Sequence, residues 1–133
     1  MLQRKQNKLI LWFDELGIED VPLVGGKNAS LGEMYRNLTK KGVRIPNGFA
    51  VTAHAYDYMI ESAGIKKEIK NIMKGINTKD MHNLASRGKK VREAIKNAEF
   101  PEDLKEEIVK AYRQLCKQYR NPHTDVAVRS SAT

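Results

Sequence analysis

Two glycines stand directly before a lysine and a helical pattern in Val24-Gly25-Gly26-Lys27-Asn28-Ala29-Ser30-Leu31-Gly32-Glu33. Lacking Cβ atoms, Gly25 and Gly26 let the backbone approach a ligand closely. The first N–H groups of the following helix then point at an anion, and Lys27 adds a point charge. In chemical terms this is a phosphate site, although the GxxxxGK[ST] pattern of a P-loop is absent. The other reading of Gly-Gly-Lys is a plain turn carrying a solvated lysine. A second candidate is Val126-Ala127-Val128-Arg129-Ser130-Ser131-Ala132-Thr133, where Arg129 follows a short apolar alternation and precedes three hydroxyl residues. A planar guanidinium can clamp phosphate oxygens through its fork of donors, or it can satisfy loop carbonyls. Between these two, Arg44-Ile45-Pro46-Asn47-Gly48-Phe49 is turn chemistry leading into a strand and reads as architecture.

Other chemistries fail on spacing. His54, His82 and His123 are scattered, and no pair has metal-ligand spacing. They read as a first-turn surface residue, a solvent-facing helix residue and a loop residue beside Pro122. Cys116 has no CxxC partner and, being the single cysteine, forms no internal disulfide. No G-x-S-x-G elbow organises a serine for nucleophilic attack. Trp12, Phe13 and the five tyrosines read as core or groove-lining residues, with no RNA-stacking motif among them.

The elements that position the three candidates follow from periodicity. Leu9–Phe13 is a short apolar run and predicts a strand. Beyond the Gly25-Gly26 break, Leu31, Met34, Tyr35 and Leu38 recur at helical spacing, and the helix ends near Gly42. Phe49-Ala50-Val51 predicts a second strand, after which Thr52 caps a helix carrying Tyr56, Met59, Ile60 and Ala63 and stopping at Gly64. Ile65, Ile69, Ile72 and Met73 mark the next helix, with Gly75 as its stop, and Met81, Leu84, Gly88, Val91 and Ile95 mark another. Pro101 suits the first turn of a last helix bearing Leu104, Ile108, Tyr112, Leu115 and Tyr119, which Asn121-Pro122 ends. Val126-Ala127-Val128 alternates with Asp125 and Arg129 and predicts a third short strand. The class is α+β and helix-rich.

Composition narrows the function classes. The 133 residues allow one domain of ordinary size, 41% hydrophobic and 30% charged. No apolar run approaches the ~20 residues needed to span a bilayer, and the few apolar residues at Leu9–Phe13, followed at once by acids, make no signal peptide. The cytoplasm is the default compartment for a chain with one cysteine. The net charge is +8, and residues 61–133 hold +6 of it. Those lysines interleave with acids at helical spacing, as on solvated helix faces, so nucleic acid is not an expected partner.

Taken together, DELGIEDVPLVGGKNASLGEM, GVRIPNGFAVTAHAYDYMI and DVAVRSSAT resemble, in order and over Leu9 to Thr133, the N-terminal part of phosphoenolpyruvate synthases (pyruvate, water dikinases) of the PEP-utilising enzyme family. The lysine-rich helices between Ile65 and Arg120 carry less of the likeness. The resemblance implies the first part of an ATP-grasp domain, in which ATP lies between two α+β subdomains. It also implies phosphoryl transfer to a histidine on a swivelling domain and then to pyruvate on a barrel, giving phosphoenolpyruvate, AMP and phosphate. By that resemblance Lys27 and Arg129 match ATP-phosphate ligands, with Gly25, Gly26 and Ser130 in support. A lysine and an arginine around a triphosphate suit a reaction that is mostly positioning and charge neutralisation.

Related families share parts of the pattern. Pyruvate phosphate dikinases have a similar GGK stretch with Val-Arg-Ser-Gly in place of Val-Arg-Ser-Ser, and rifampicin phosphotransferases resemble the VRSSAT segment. IPNGFA and the DELGIEDVPLVGGKNASLGEM stretch favour the synthases. The expectation is a single, incomplete ATP-binding domain over residues 1–133 that uses ATP with Mg²⁺. The metal ligands, the phosphorylated histidine and the pyruvate contacts are expected outside this sequence, so the chain alone is expected to be inactive. Its expected partners are ATP and the downstream domains, or a separate chain carrying them. Self-association through uncovered apolar surface is also expected. The reading from a different class is a non-catalytic interaction module.

Overall fold

The structure, a computed structural model, describes residues 4–133. The chain forms two compact units, one built from the chain through Tyr56 together with Asp103–Thr133, the other from Asp57–Glu102. Both strands lie in the first unit. β1 (Ile10–Trp12) pairs antiparallel with β2 (Phe49–Val51) in the register Ile10 to Val51, Leu11 to Ala50 and Trp12 to Phe49. Trp12 and Phe49 meet across the ladder with ring centroids 5.3 Å apart and planes tilted by 54°, the kind of cross-strand pair that stabilises a two-stranded ribbon. The ladder is extended at both ends, by the Phe13 N–H to the Gly48 carbonyl and the Thr52 N–H to the Leu9 carbonyl, each at 3.0 Å.

A 3-10 turn at Phe13–Glu15 and another at Ile18–Asp20 lead into α1 (Val21–Val24) and, one glycine later, α2 (Gly26–Leu38). The core of this unit is Leu11, Phe13, Leu16, Val24, Ala29 and Ala50, with Val21, Leu23, Leu31 and Tyr35 packed around it. Leu11 and Leu16 are fully buried, and each contributes about 1.5–3 kcal/mol relative to exposure. Gly32 permits the close approach of α2 to Leu16, since a Cβ there would collide with the leucine side chain and carbonyl. α2 runs into a 3-10 turn at Thr39–Lys41 and closes at Gly42, whose φ of 83° and following Val43 N–H to Leu38 carbonyl bond form a left-handed cap.

Thr52 ends β2 and starts α3 (Ala53–Ser62). Its hydroxyl accepts the Ala55 N–H at 3.1 Å and donates to the Lys8 carbonyl at 2.7 Å, so one buried residue caps the helix and ties it to the first strand's approach. α6 (Glu102–Gln118) turns Leu104, Ala111, Leu115 and Cys116 inward on one face. It closes on Arg120, a non-glycine at φ 52°, with the Asn121 N–H on the Cys116 carbonyl. The helix therefore stops at Gln118, short of the Asn121-Pro122 pair expected to end it.

In the second unit, α4 (Lys66–Lys74) packs against α5 (Met81–Asn97). Asp80 caps α5 by accepting the N–H groups of His82 and Asn83 at 3.0 and 3.1 Å. The Arg87 guanidinium donates to the Ile72 carbonyl at 3.4 Å. Neither α4 nor α5 contains a fully buried residue.

The α+β class holds, with one correction. Val126–Val128 forms no strand, and Val128 is 92% exposed. Three alternating residues can suggest a strand but cannot supply the neighbouring edge that a ladder requires, and the sheet contains only β1 and β2 among the described residues.

Candidate functional site

The site begins with a kink. Pro22 sits in the first turn of α1, whose last bond runs from the Gly25 N–H to the Val21 carbonyl at 2.8 Å. Gly25 then adopts φ 81° and ψ 159°, a conformation open to glycine, and its carbonyl accepts the Ala29 N–H at 3.1 Å as the first bond of α2. The N–H groups of Gly26, Lys27 and Asn28 precede that bond and define the positive end of a 13-residue helix with no acidic residue in its first turn. Gly26 and Lys27 are exposed, and a Cβ at Gly26 would meet nothing.

The segment containing Arg129 comes to this place. The Asn28 side chain donates from Nδ2 to the Val24 carbonyl at 2.9 Å and to the Ser131 hydroxyl at 2.8 Å. Beside it, a Cβ at Gly25 would stand 2.6 Å from the Ala132 carbonyl oxygen and 3.3 Å from the Ser131 Cβ. Two stretches 103 residues apart in sequence therefore share one surface. Arg129 precedes Ser131 by two residues, no more than about 7 Å of chain. Lys27 and Arg129 are both exposed, and neither forms an ion pair among the described residues. Ser130 is exposed as well.

The middle segment has a different setting. The Asn47 N–H donates to the Tyr119 hydroxyl and its Nδ2 to Gln118 Oε1, both at 2.7 Å. Phe13 fills the space where Gly48 would carry a side chain. Pro46-Asn47-Gly48 thus anchors the strand β2 to the end of α6, which agrees with its reading as architecture. Asn47 Oδ1 is buried and has no hydrogen-bond partner among the described residues.

Residues 21–133 match the family described as Pyruvate phosphate dikinase, AMP/ATP-binding domain. The chain belongs to this family. Within it, the chain is 50% identical over 129 residues to the phosphoenolpyruvate synthase of Aquifex aeolicus (strain VF5), covering 97% of this chain and 15% of that protein. It is 47% identical over 133 residues to that of Synechocystis sp., covering 97% and 16%. Against the phosphoenolpyruvate synthase of Escherichia coli (strain K12) it is 41% identical over 133 residues, covering 100% and 16%. The chain thus spans about a sixth of the length of the curated relatives it matches.

Two residues of the site escaped the sequence reading as functional positions. Asn28 lay inside the glycine-lysine segment and Ser131 inside the arginine segment, and nothing in their spacing marked them as partners. The histidines stand where expected, with His54 and His82 exposed on helices and His123 exposed beyond α6. Among the described residues no group of three or more His, Cys, Asp or Glu could hold a metal ion. No helix among them is long and apolar enough to cross a membrane.

Proposed function

We propose that this chain is the opening part of the ATP-binding domain of a phosphoenolpyruvate synthase, an ATP-grasp domain holding the nucleotide's phosphates between Lys27 and Arg129. The meeting of the α2 N-terminus with the Arg129 segment, through the Asn28–Ser131 hydrogen bond, is the observation that carries this reading. A phosphate placed beside Gly26 and Lys27 faces backbone N–H groups at the positive helix end, which the kink at Gly25 exposes. Lys27 brings a point charge and Arg129 a planar fork, with Ser130 as a supporting hydroxyl. Such a pair neutralises charge and fixes the phosphoryl group in line, which is most of what phosphoryl transfer asks of a protein.

The reaction assigned to the whole enzyme converts ATP, pyruvate and water to phosphoenolpyruvate, AMP and phosphate through a phosphohistidine, in the cytoplasm. This chain supplies nucleotide binding, while the phosphohistidine and pyruvate steps belong to the remainder of such an enzyme. The Mg²⁺ that accompanies ATP is not assigned to residues of this chain, and no step here runs through it. An amide-resolved NMR titration with Mg-ATP tests the assignment. Shifts confined to Gly25–Leu31 and Arg129, and lost in Lys27→Ala, are expected. Shifts spread over the lysine-rich helices, or unchanged in Lys27→Ala, would sink it.

A further inference from the structure

In an unbroken helix the Val24 carbonyl would accept the backbone N–H of Asn28, four residues on. The turn at Gly25 removes that bond, and the Asn28 side chain replaces it from Nδ2 at 2.9 Å. A primary amide has two N–H donors on one nitrogen. The second reaches Ser131 Oγ at 2.8 Å, so both are committed and the amide plane is fixed. A hydroxyl that accepts a hydrogen bond keeps its own proton to donate. The Ser131 hydroxyl therefore stands beside the α2 N-terminus with one lone pair engaged by the Asn28 amide and, among the described residues, its O–H left to donate, on an exposed residue.

From this arrangement we infer that Ser131 donates its hydroxyl proton to a nucleotide phosphate oxygen and that Asn28 is the positioning residue that orients it. The inference rests on the phosphate-site reading above and adds to it the donor and the residue that directs it. Asn28 also holds the two segments together, so the placement of Arg129 relative to Lys27 depends on the same amide.

The test is a set of Mg-ATP dissociation constants by calorimetry on the full chain, for Asn28→Ala, Ser131→Ala, the double variant, Ser131→Thr and Asn28→Asp, with thermal melts of each. Loss of one such hydrogen bond corresponds to roughly a three- to tenfold rise in Kd. Each single alanine variant is expected to show it, the double variant to show no more than the larger single, and Ser131→Thr to stay within about twofold because the hydroxyl remains. Asn28→Asp is the discriminating case. A carboxylate accepts the Ser131 proton instead of donating to the oxygen, turning the hydroxyl away from phosphate, and it adds repulsion. This variant should bind Mg-ATP more weakly than Asn28→Ala, while its melt, with the carboxylate favoured by the helix end but opposed by the Val24 carbonyl, reports the fold separately from binding.

Multiplying effects in the double variant, or Asn28→Ala within twofold of the parent, would overturn the inference while leaving the phosphate site in place. A parent chain without measurable Mg-ATP binding would overturn the phosphate-site reading and this role together. The Ser131 amide resonance, followed in Asn28→Ala without nucleotide, separates the cases. Its movement alone, with binding unchanged, reduces Asn28 to a structural clasp and also refutes the inference.

Discussion

The Lys5 ammonium and the Asp20 carboxylate meet at 2.5 Å, with the aspartate buried and the lysine about a third exposed. The same carboxylate oxygen accepts the Gly17 N–H at 2.9 Å. One acid thus closes the 3-10 turn that leads into α1 and draws in the chain that precedes β1. The start of α1 fixes where the Gly25 kink falls, so this pair underlies the site without touching it.

Replacing Asp20 by alanine leaves the Gly17 N–H without its acceptor and the lysine without its partner. The expected loss is about 1.5–3 kcal/mol, typical of a hydrogen bond to a buried charged group. Urea unfolding of Asp20→Ala beside the parent measures it, and a difference under half a kilocalorie would contradict the role given to the pair.

The adjacent glycines should respond differently to alanine. Gly25 combines φ 81° with the Ala132 carbonyl oxygen 2.6 Å from any Cβ, so Gly25→Ala must displace either the kink or the Ala132 segment. It should lower stability by about 1–3 kcal/mol and weaken Mg-ATP binding. Gly26 is the first residue of α2 with open space around it. Gly26→Ala should leave stability within about half a kilocalorie or raise it, since the unfolded chain loses freedom. Equal effects from the two substitutions in melting experiments would refute the kink's role.

Cys116 carries a pH prediction. Burial raises its thiol pKa, but the Thr124 backbone, then Tyr112 and the Thr124 side chain beside the sulfur, lower it by more, leaving it below the ordinary 9.0. A thiol with a depressed folded-state pKa gives stability present above the unfolded value and lost as pH falls through the folded value. The Tyr112 hydroxyl moves the other way, raised by its hydrogen bond with Cys116 and then by burial, so its effect is a loss of stability above pH 10. Thiolate ultraviolet absorbance followed against pH should give a midpoint below 9.0, moving up in Thr124→Val. A parent midpoint at or above 9.0 would refute the account.

Much of the fold is written in local chemistry. Thr52 reads as a cap because its hydroxyl needs only the N–H three residues on, and Gly42 and Gly64 read as helix ends because left-handed backbone suits glycine. The two candidate phosphate segments were likewise visible as residue types. What was not visible depends on contacts distant in sequence. Val126–Val128 alternates like a strand, but whether an edge awaits it is settled by the rest of the fold. Asp20 stands beside Glu19 with nothing in its spacing to tell them apart, and it is Asp20 that is buried, where it meets Lys5 and the Gly17 N–H. The Asn47–Gln118 and Asn28–Ser131 bonds join residues 71 and 103 positions apart, beyond the reach of any periodicity.

The helix pair α4 and α5, which lacks any fully buried residue, has a kinetic consequence. Amide hydrogens are protected from exchange with solvent to the extent that opening them exposes packed apolar surface. In α4 and α5 a local opening uncovers little that was hidden, whereas around Leu11, Leu16 and Val24 it must breach the core. The two units should therefore form separate cooperative layers, with deuterium entering α4 and α5 well before α2. Nicks by protease should fall first near Gly75–Asp80, leaving the surface shared by Asn28 and Ser131 intact.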